Sequence, residues 1–346
     1  MISGIKKKKS KGEKLVGNVF KTIAFLSANF FRWLIWAILG ILSVLKINFF
    51  NYLFLVYPGT DSDVYGYCKP EWLANWLAKS PLFSKRPAIA GIISRNCAGR
   101  GLIFVVPNTS EQFRSDKDVC NKIMKRLNRI RKLIGAKAIA IAGQAPGMII
   151  RNGIPLNEPF VQGNKGTVFC VMETIDQAAK KHGLDPLTAS IVIVGVGYSG
   201  GLLLKGLRDK GCNAIGVDIE MKDNGIVALK EDGCVFLPLS DIVVVLTPKG
   251  SDFAPYVKYL KKGAIVIDDT HPKITDKPPN VHFYKVAVGI GDTIFYPRLP
   301  GYHEDWIPGC AVEAIISTAT GKFNNTSQSV FNKEAKKLGF YAHLVS

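Results

Sequence analysis

The stretch Ser190–Glu220, SIVIVGVGYSGGLLLKGLRDKGCNAIGVDIE, constrains this chain more than any other. Four β-branched residues, Ile191 to Val194, predict a buried strand, and Gly195, Gly197 and Gly200 follow in the spacing G-x-G-x-x-G. An amphipathic helix comes next, with Leu202, Leu203, Leu204 and Leu207 as its apolar set. A second short strand, Ala214–Val217, ends on Asp218. Each part has a mechanical role in holding a dinucleotide. The first glycine permits a tight turn, the second lets backbone approach a pyrophosphate, and the third lets helix pack close to strand. The helix start, carrying Tyr198 and Ser199, turns its partial positive charge toward the phosphates. Asp218, about twenty residues on, offers a carboxylate to both hydroxyls of the adenosine ribose.

The chain continues as a doubly wound sheet requires. Val235–Leu237, Ile242–Leu246, Ala264–Ile267 and Val281–Val288 read as strands, and Ser251–Leu260 as helical. Thr247, just past the end of its strand, falls beside the cofactor. Upstream, Gly101–Val106 and Ala136–Ala142 read as strands and Asp118–Ile134 as a basic amphipathic helix. The fold class expected is therefore α/β: a Rossmann domain over 164–320 with its linking helices, and a smaller, substrate-side α/β domain over 86–163. A tail over 321–346 carries a last helix near Asn332–Leu338.

The 346 residues carry a formal net charge of +18, which raises the question of nucleic acid. Nine of the basic residues (Lys6 to Lys9, Lys11, Lys14, Lys21, Arg32 and Lys46) face one acid, Glu13, before Pro58, a local balance of +8. No nucleic-acid motif accompanies them, and a basic head beside an apolar run fits anionic lipid instead. Residues 1–14 read as a disordered lysine-rich head, 15–57 as a hydrophobic membrane segment, and 58–85 as a linker in which Trp72 and Trp76 share a helix face. Arg32 and Lys46 interrupt the apolar run, leaving less than the roughly 20 residues a crossing helix needs. Both flanks are basic, so the segment reads as a re-entrant or two-helix hairpin, or as interfacial helices, with the catalytic domain cytoplasmic. The seven cysteines are scattered, with no C-x-x-C pair, which indicates neither a zinc site nor a disulfide framework. Nor does the spacing of His303, Glu304 and Asp305 suit a metal set.

Several stretches, in order, resemble the long-chain fatty acyl-(acyl-carrier-protein) reductases that form fatty aldehydes, mainly over residues 95–340. They are Gly163-Asn164-Lys165-Gly166-Thr167 before the cofactor strand, the Rossmann turn, Ile267-Asp268 with Pro272-Lys273, Cys310-Ala311-Val312-Glu313-Ala314, and the terminal Gly339-Phe340. The resemblance implies two steps. A cysteine thiolate takes the acyl group from a thioester, and a nicotinamide hydride then releases the aldehyde. The matching cysteine is Cys310. Its place at a helix start, after Pro308-Gly309, leads to the expectation of a thiol pKa lowered by the helix dipole and free N–H groups, which would also hold an oxyanion. The chain departs from the family in its full G-x-G-x-x-G turn, in Lys165-Gly166, in His271, in the apolar N-terminal segment, and in Asp218. Asp218 repels a 2′-phosphate, which favours NAD, with NADP as the alternative.

His271, at a Rossmann strand end, is a candidate general acid toward a developing alkoxide. Lys165 and Lys273 are candidates for binding an anionic group or polarising a carbonyl. Asn164 and Thr167 read as helix caps, Asp268 and Asp269 as turn residues. The partners expected are membrane lipid and a small-molecule or carrier-bound acyl substrate. Two rival readings stand beside acyl reduction. One is a shikimate- or amino-acid-dehydrogenase-like enzyme without covalent catalysis, using Lys165 and Asp268. The other is a membrane-tethered NAD-binding sensor without chemistry.

Overall fold

The computed structural model describes residues 11–58, 70–80, 86–96, 98–219, 226–228, 234–289, 291–298, 303, 305–321 and 326–345. Most of the lysine-rich head, much of the linker over 58–85, and Glu304 lie outside the described residues.

The run of apolar residues after Phe49 is a strand, not the end of a membrane segment. Tyr52–Val56 (β1) is buried along its whole length and pairs in parallel with Gly99–Val105 (β3) on one side and Ala138–Ile141 (β4) on the other. A central parallel strand is apolar on both faces, so hydropathy alone does not separate it from lipid-facing sequence. The sheet runs β13-β2-β3-β1-β4-β5, with Ala88–Arg95 (β2) antiparallel to β3 and Phe160–Val161 (β5) parallel to β4. Its far edge, Thr293–Tyr296 (β13), comes from beyond the Rossmann strands and pairs antiparallel with β2. The first domain therefore begins well before residue 86 and recruits a strand from near the C-terminus.

One face of this sheet is covered by helices. Two of them come from the apolar segment: Lys11–Phe30 (α1) and Arg32–Val44 (α2). The others are Ser110–Ser115 (α4), Lys117–Leu133 (α5) and Ala145–Arg151 (α6). Leu39 is buried against the sheet, and the Trp36 ring stacks on Phe104 with centroids 6.0 Å apart. Asn29 pins α1 to β2: its Nδ2 donates to the Ile89 carbonyl and its Oδ1 accepts from the Ile89 N–H, both at 2.9 Å. The β2–β3 register shifts just after this residue, between Ile89 and Gly91. No single described helix is long and apolar enough to cross a membrane; the pieces Thr22–Phe30 and Arg32–Val44 pass such a test only together, and they are bent by 67°. Glu71–Lys79 (α3) packs Ala74 and Leu77 against Phe25 and Leu26 of α1.

The second sheet runs β11-β10-β9-β6-β7-β8, all parallel. Its strands are Ser190–Val194 (β6), Asn213–Asp218 (β7), Ile226–Ala228 (β8), Ile242–Val245 (β9), Ile265–Asp268 (β10) and His282–Lys285 (β11). Read from β8 across, this is the 3-2-1-4-5-6 order of the doubly wound dinucleotide fold. Val235–Leu237 is not a strand: a 3₁₀ turn at Leu237–Leu239 takes that place, with Pro238 lacking the N–H a ladder needs. Ser251–Leu260 consists of 3₁₀ pieces rather than one helix.

Asn164–Lys181 (α7) and Gly309–Thr320 (α9) lie between the sheets. They share one continuous core with Tyr52 and Phe54 of the first sheet and with Ile191 and Ile193 of the second. After α9, Gln328–Lys337 (α10) packs on α7, with Phe331 edge-on to Phe169. The tail then bridges to the Rossmann domain at Val288–Ala342 and Lys285–Val345.

Replacing Asn29 by Leu leaves both buried polar groups of Ile89 without a partner. This variant is expected to lose about 2 kcal/mol of stability, measured as a lowered midpoint in urea unfolding. An unchanged midpoint would show that α1 contributes nothing to the sheet.

Candidate active site

The glycine-rich turn carries the geometry its spacing requires. Gly195 has φ +94°, and a Cβ there would lie 2.9 Å from the Leu246 carbonyl group, against the end of β9. A Cβ on Gly200 would overlap the Gly195 carbonyl oxygen, so the helix Tyr198–Asp209 (α8) comes this close to β6 only because position 200 is glycine. Around Gly197 nothing lies within 4 Å of a Cβ position. That open side is where a pyrophosphate can approach the backbone, and the α8 N–H groups start at the next residue. Tyr198 is exposed at the helix start. Asp218 ends β7, and its Oδ1 accepts from the Ile219 N–H at 2.7 Å. Thr247 lies half-buried past the end of β9, its hydroxyl donating to the Lys249 carbonyl at 2.9 Å. These residues fit a dinucleotide.

A second group gathers beside this turn, where α7 and α9 begin. The two helices cross at touching glycines: a Cβ on Gly166 would overlap the Gly309 carbonyl, and one on Gly309 would lie 2.7 Å from the Thr167 Cα. The contact is sealed by Glu313, the single charged residue of α9 and almost completely buried. Its Oε2 accepts from the Gly166 N–H at 3.0 Å, and the Lys165 and Gly163 amides also favour its charged form. Glu313 thereby caps α7 from a different helix. Burial pushes its pKa up, while these amides and Lys165 pull it down. Lys165 is half-buried beside it, its own pKa lowered by burial and raised in part by Glu313.

Cys310, the second residue of α9, lies against Gly163. A Cβ on Gly163 would be 2.6 Å from that of Cys310, and Gly163 adopts φ +81°. The next residue, Asn164, accepts a hydrogen bond from the Ser199 hydroxyl of the dinucleotide helix at 3.1 Å. Thiol and glycine-rich turn are thus joined through two consecutive residues. The first domain closes the other side. The Gly143 amide favours the charged form of the Cys310 sulfur, and Tyr57, just past the end of β1, accepts from the Gln144 N–H at 3.0 Å. Burial pushes the Tyr57 hydroxyl up to about 12.

The expectation of a thiol acidified by its helix start is overturned. Burial pushes Cys310 up to about 12, and the charges of Asp269 and Glu313 add to that rise. The Gly143 and Ala311 amides oppose it without cancelling it. Desolvation of a thiolate outweighs a few peptide dipoles, and here two carboxylates add to it.

The acidic pair after β10 divides its roles. Asp268 is consumed by structure: Oδ1 accepts from the Thr270 N–H and hydroxyl at 2.8 and 2.6 Å, and Oδ2 from the Ile274 N–H at 2.9 Å. This leaves it unfit for the acid–base role in the non-covalent rival reading. The Asp269 carboxyl is pushed up to about 6 by desolvation, with Lys285 opposing the rise and Asp268 adding to it. Its charge reaches both Cys310 and Cys170. His271 is half-buried on the same strand end, before a cis His271–Pro272 bond, and Lys273 is exposed. Sequence reasoning missed Tyr57, Gly143, Asp269 and Glu313 as site residues. Only Glu313 left a visible signal, as a lone charge on an otherwise uncharged helix.

No protein-family model matches the chain, and no curated protein matches it. Solved structures similar to it include the N5,N10-methylenetetrahydrofolate dehydrogenase-cyclohydrolase of Trypanosoma brucei, at 12% identity and TM-score 0.37 over 88% of this chain and 95% of that one. Another is the L-tryptophan dehydrogenase of Nostoc punctiforme, at 10% identity and TM-score 0.37 over 83% of this chain and 79% of that one. A D-isomer specific 2-hydroxyacid dehydrogenase family protein of Klebsiella pneumoniae is 16% identical with TM-score 0.29, over 63% of this chain and 71% of that one.

A thiol at about 12 is expected to alkylate slowly at neutral pH. Its rate with iodoacetamide should climb about tenfold per pH unit from pH 7 to 10, because the thiolate fraction rises in that proportion below the pKa. Peptide mass spectrometry of Cys310 checks this, and a plateau below pH 9 would contradict it.

Proposed function

We propose that this chain is a nicotinamide-dependent oxidoreductase, and that it reduces a long-chain acyl thioester to an aldehyde through an acyl-enzyme on Cys310. The observation that carries the reading is the junction Cys310–Gly163–Asn164–Ser199, which puts a thiol next to the start of the dinucleotide helix. The order of sequence stretches resembling the fatty-aldehyde-forming reductases supports the same assignment. Asp218 favours NAD over NADP, because a carboxylate at the end of β7 accepts ribose hydroxyls and repels a 2′-phosphate.

In this reading the chain's own groups do the following. Cys310 attacks the thioester carbonyl; the sulfur–carbon bond of the acyl-enzyme forms and the bond to the leaving thiol breaks. The thiol proton passes to Asp269, ionised above about pH 6, and from there to the leaving thiolate. Because the resting thiol is protonated, proton removal and attack are coupled, and a preformed thiolate is not required. The Gly143 and Ala311 N–H groups, which both favour the charged form of the Cys310 sulfur, are the candidate donors to the developing oxyanion. When bound at the glycine-rich turn, a reduced nicotinamide would supply the hydride that takes the acyl carbon to the aldehyde level; the sulfur–carbon bond then breaks, and the Cys310 thiolate takes up a proton from solvent to return to the resting thiol. Glu313 and Lys165 act on position, holding the starts of α7 and α9 together.

Incubation with a long-chain acyl thioester and no reductant should add one acyl mass to the wild-type chain and none to Cys310→Ala. With reductant, Cys310→Ala should lose essentially all aldehyde formation. Full turnover by Cys310→Ala would sink covalent catalysis and favour the non-covalent dehydrogenase. Wild type should prefer NADH over NADPH by roughly tenfold at equal concentration, from one charge repulsion in the site. The reverse preference would remove Asp218 from its assigned role.

A further inference from the structure

We propose that α1, α2 and α3 form a docking face for an anionic lipid bilayer, on which the protein lies without crossing. This inference is independent of the chemistry assigned above.

The face begins with an imbalance in α2. Apart from Arg32 and Ser43 its residues are apolar or glycine, yet only one side of the helix meets the sheet. Trp33, Ile41 and Val44 point away from it and are 66%, 62% and 83% exposed, at the spacing of one helix stripe. Val19, Ile23 and Phe30 form an exposed stripe on α1 in the same way. On α3, Trp72 and Trp76 lie outward, four residues apart, while Ala74 and Leu77 of the same helix pack inward on α1. Three of the described helices thus each bury one apolar side and leave another uncovered. An exposed apolar stripe on each of three helices, two of them packed on the third, marks a contact surface rather than single scattered residues.

Charge identifies what covers it. Residues 1–57 hold nine basic side chains against one acid. Arg32, at the start of α2, lies close enough to Arg86 and Arg126 for both to lower its pKa, after the larger effect of burial. Lys46 closes the other end of α2 and is exposed. A second copy of the chain would bring two such positive faces together, which like-charge repulsion opposes. An anionic headgroup layer meets the basic ends while its acyl boundary accepts the apolar stripes, and Trp is suited to the level between them.

Geometry excludes crossing. The two apolar pieces span about 14 and about 20 Å, against a hydrocarbon core of about 30 Å. The 67° bend stops them from acting as one rod. The Asn29–Ile89 hydrogen bonds and the Trp36–Phe104 stack hold their inner sides to the sheet. Only the outer sides are available to lipid, as in an interfacial helix.

Flotation of the full-length protein with vesicles of phosphatidylcholine, alone or with about 30% phosphatidylglycerol, tests this. The wild type should float with the anionic vesicles, less so at high salt, with a blue shift of tryptophan emission. The double variant Ile41→Asp/Val44→Asp should bind about tenfold more weakly. Trp72→Ser/Trp76→Ser, on a separate helix, should also weaken binding and serves as the second probe if the first variant melts early. The proposal falls if the wild type stays unbound or binds neutral vesicles equally well. It falls too if properly folded variants float like wild type. A lipid-free dimer that the variants dissociate would give the face to a second copy instead. None of these outcomes bears on acylation of Cys310.

Discussion

The arrangement depends on one buried carboxylate. Glu313 sits where two helices cross at Gly166 and Gly309, and its carboxylate accepts from the Gly166 N–H in the first turn of α7, with the neighbouring amides favouring its charge. A helix start buried without partners would leave several orphan donors, and a buried carboxylate without partners would cost several kcal/mol. Each problem is the other's solution. Because the cap comes from α9, the two helix starts are locked in register, and so are the residues that precede and follow them. Cys310 is held against Gly163, and Asn164 reaches Ser199.

The same logic of crossing segments fixes the two sheets relative to each other. Strand β13 leaves the Rossmann half to finish the first sheet, and the tail returns to the Rossmann half after α10. Arg95 ties these crossings together. Buried at the end of β2, it donates to the Thr293 hydroxyl at 2.7 Å and to the Leu338 carbonyl, pairs with Asp292 at 2.9 Å, and lies 4.1 Å over the Phe340 ring. The terminal Gly-Phe pair is therefore a structural seal: Phe340 packs beneath a buried cation, and φ +74° at Gly339 turns the chain into that position.

How much of this was legible depended on whether the requirement was local. The glycine-rich turn was readable because each of its glycines answers to a neighbour within a few residues, Gly200 to Gly195 above all. Strands β9 and β10 were readable as short β-branched runs between turns. Strand β1 was not, because its five apolar residues follow an apolar helix after only a short stretch that mixes Lys46, Asn48 and Asn51 with Ile47, Phe49 and Phe50. Strand β8 has only three residues, too few for a periodic signal. Strand β13 gains its meaning from β2, almost 200 residues away along the chain. In the site, Cys310 could be placed at a helix start, but its protonation could not be inferred from that. The helix dipole is a local property, whereas desolvation belongs to everything packed around the sulfur.

The sequence by itself determined a dinucleotide turn on a parallel sheet, a carboxylate at the end of the second strand, and a strongly basic, apolar N-terminus. These follow from short-range sterics, hydrogen-bonding capacity and composition, which neighbours in the chain already specify. Only the tertiary structure decided that the apolar segment is a layer of the first domain ending in its central strand. It alone decided that Asp268 is spent on a turn while the charge of Asp269 acts on Cys310, and that the thiol of Cys310 rests protonated. Those outcomes depend on which distant groups exclude water from a given atom, and burial of that kind exists only once the chain has folded.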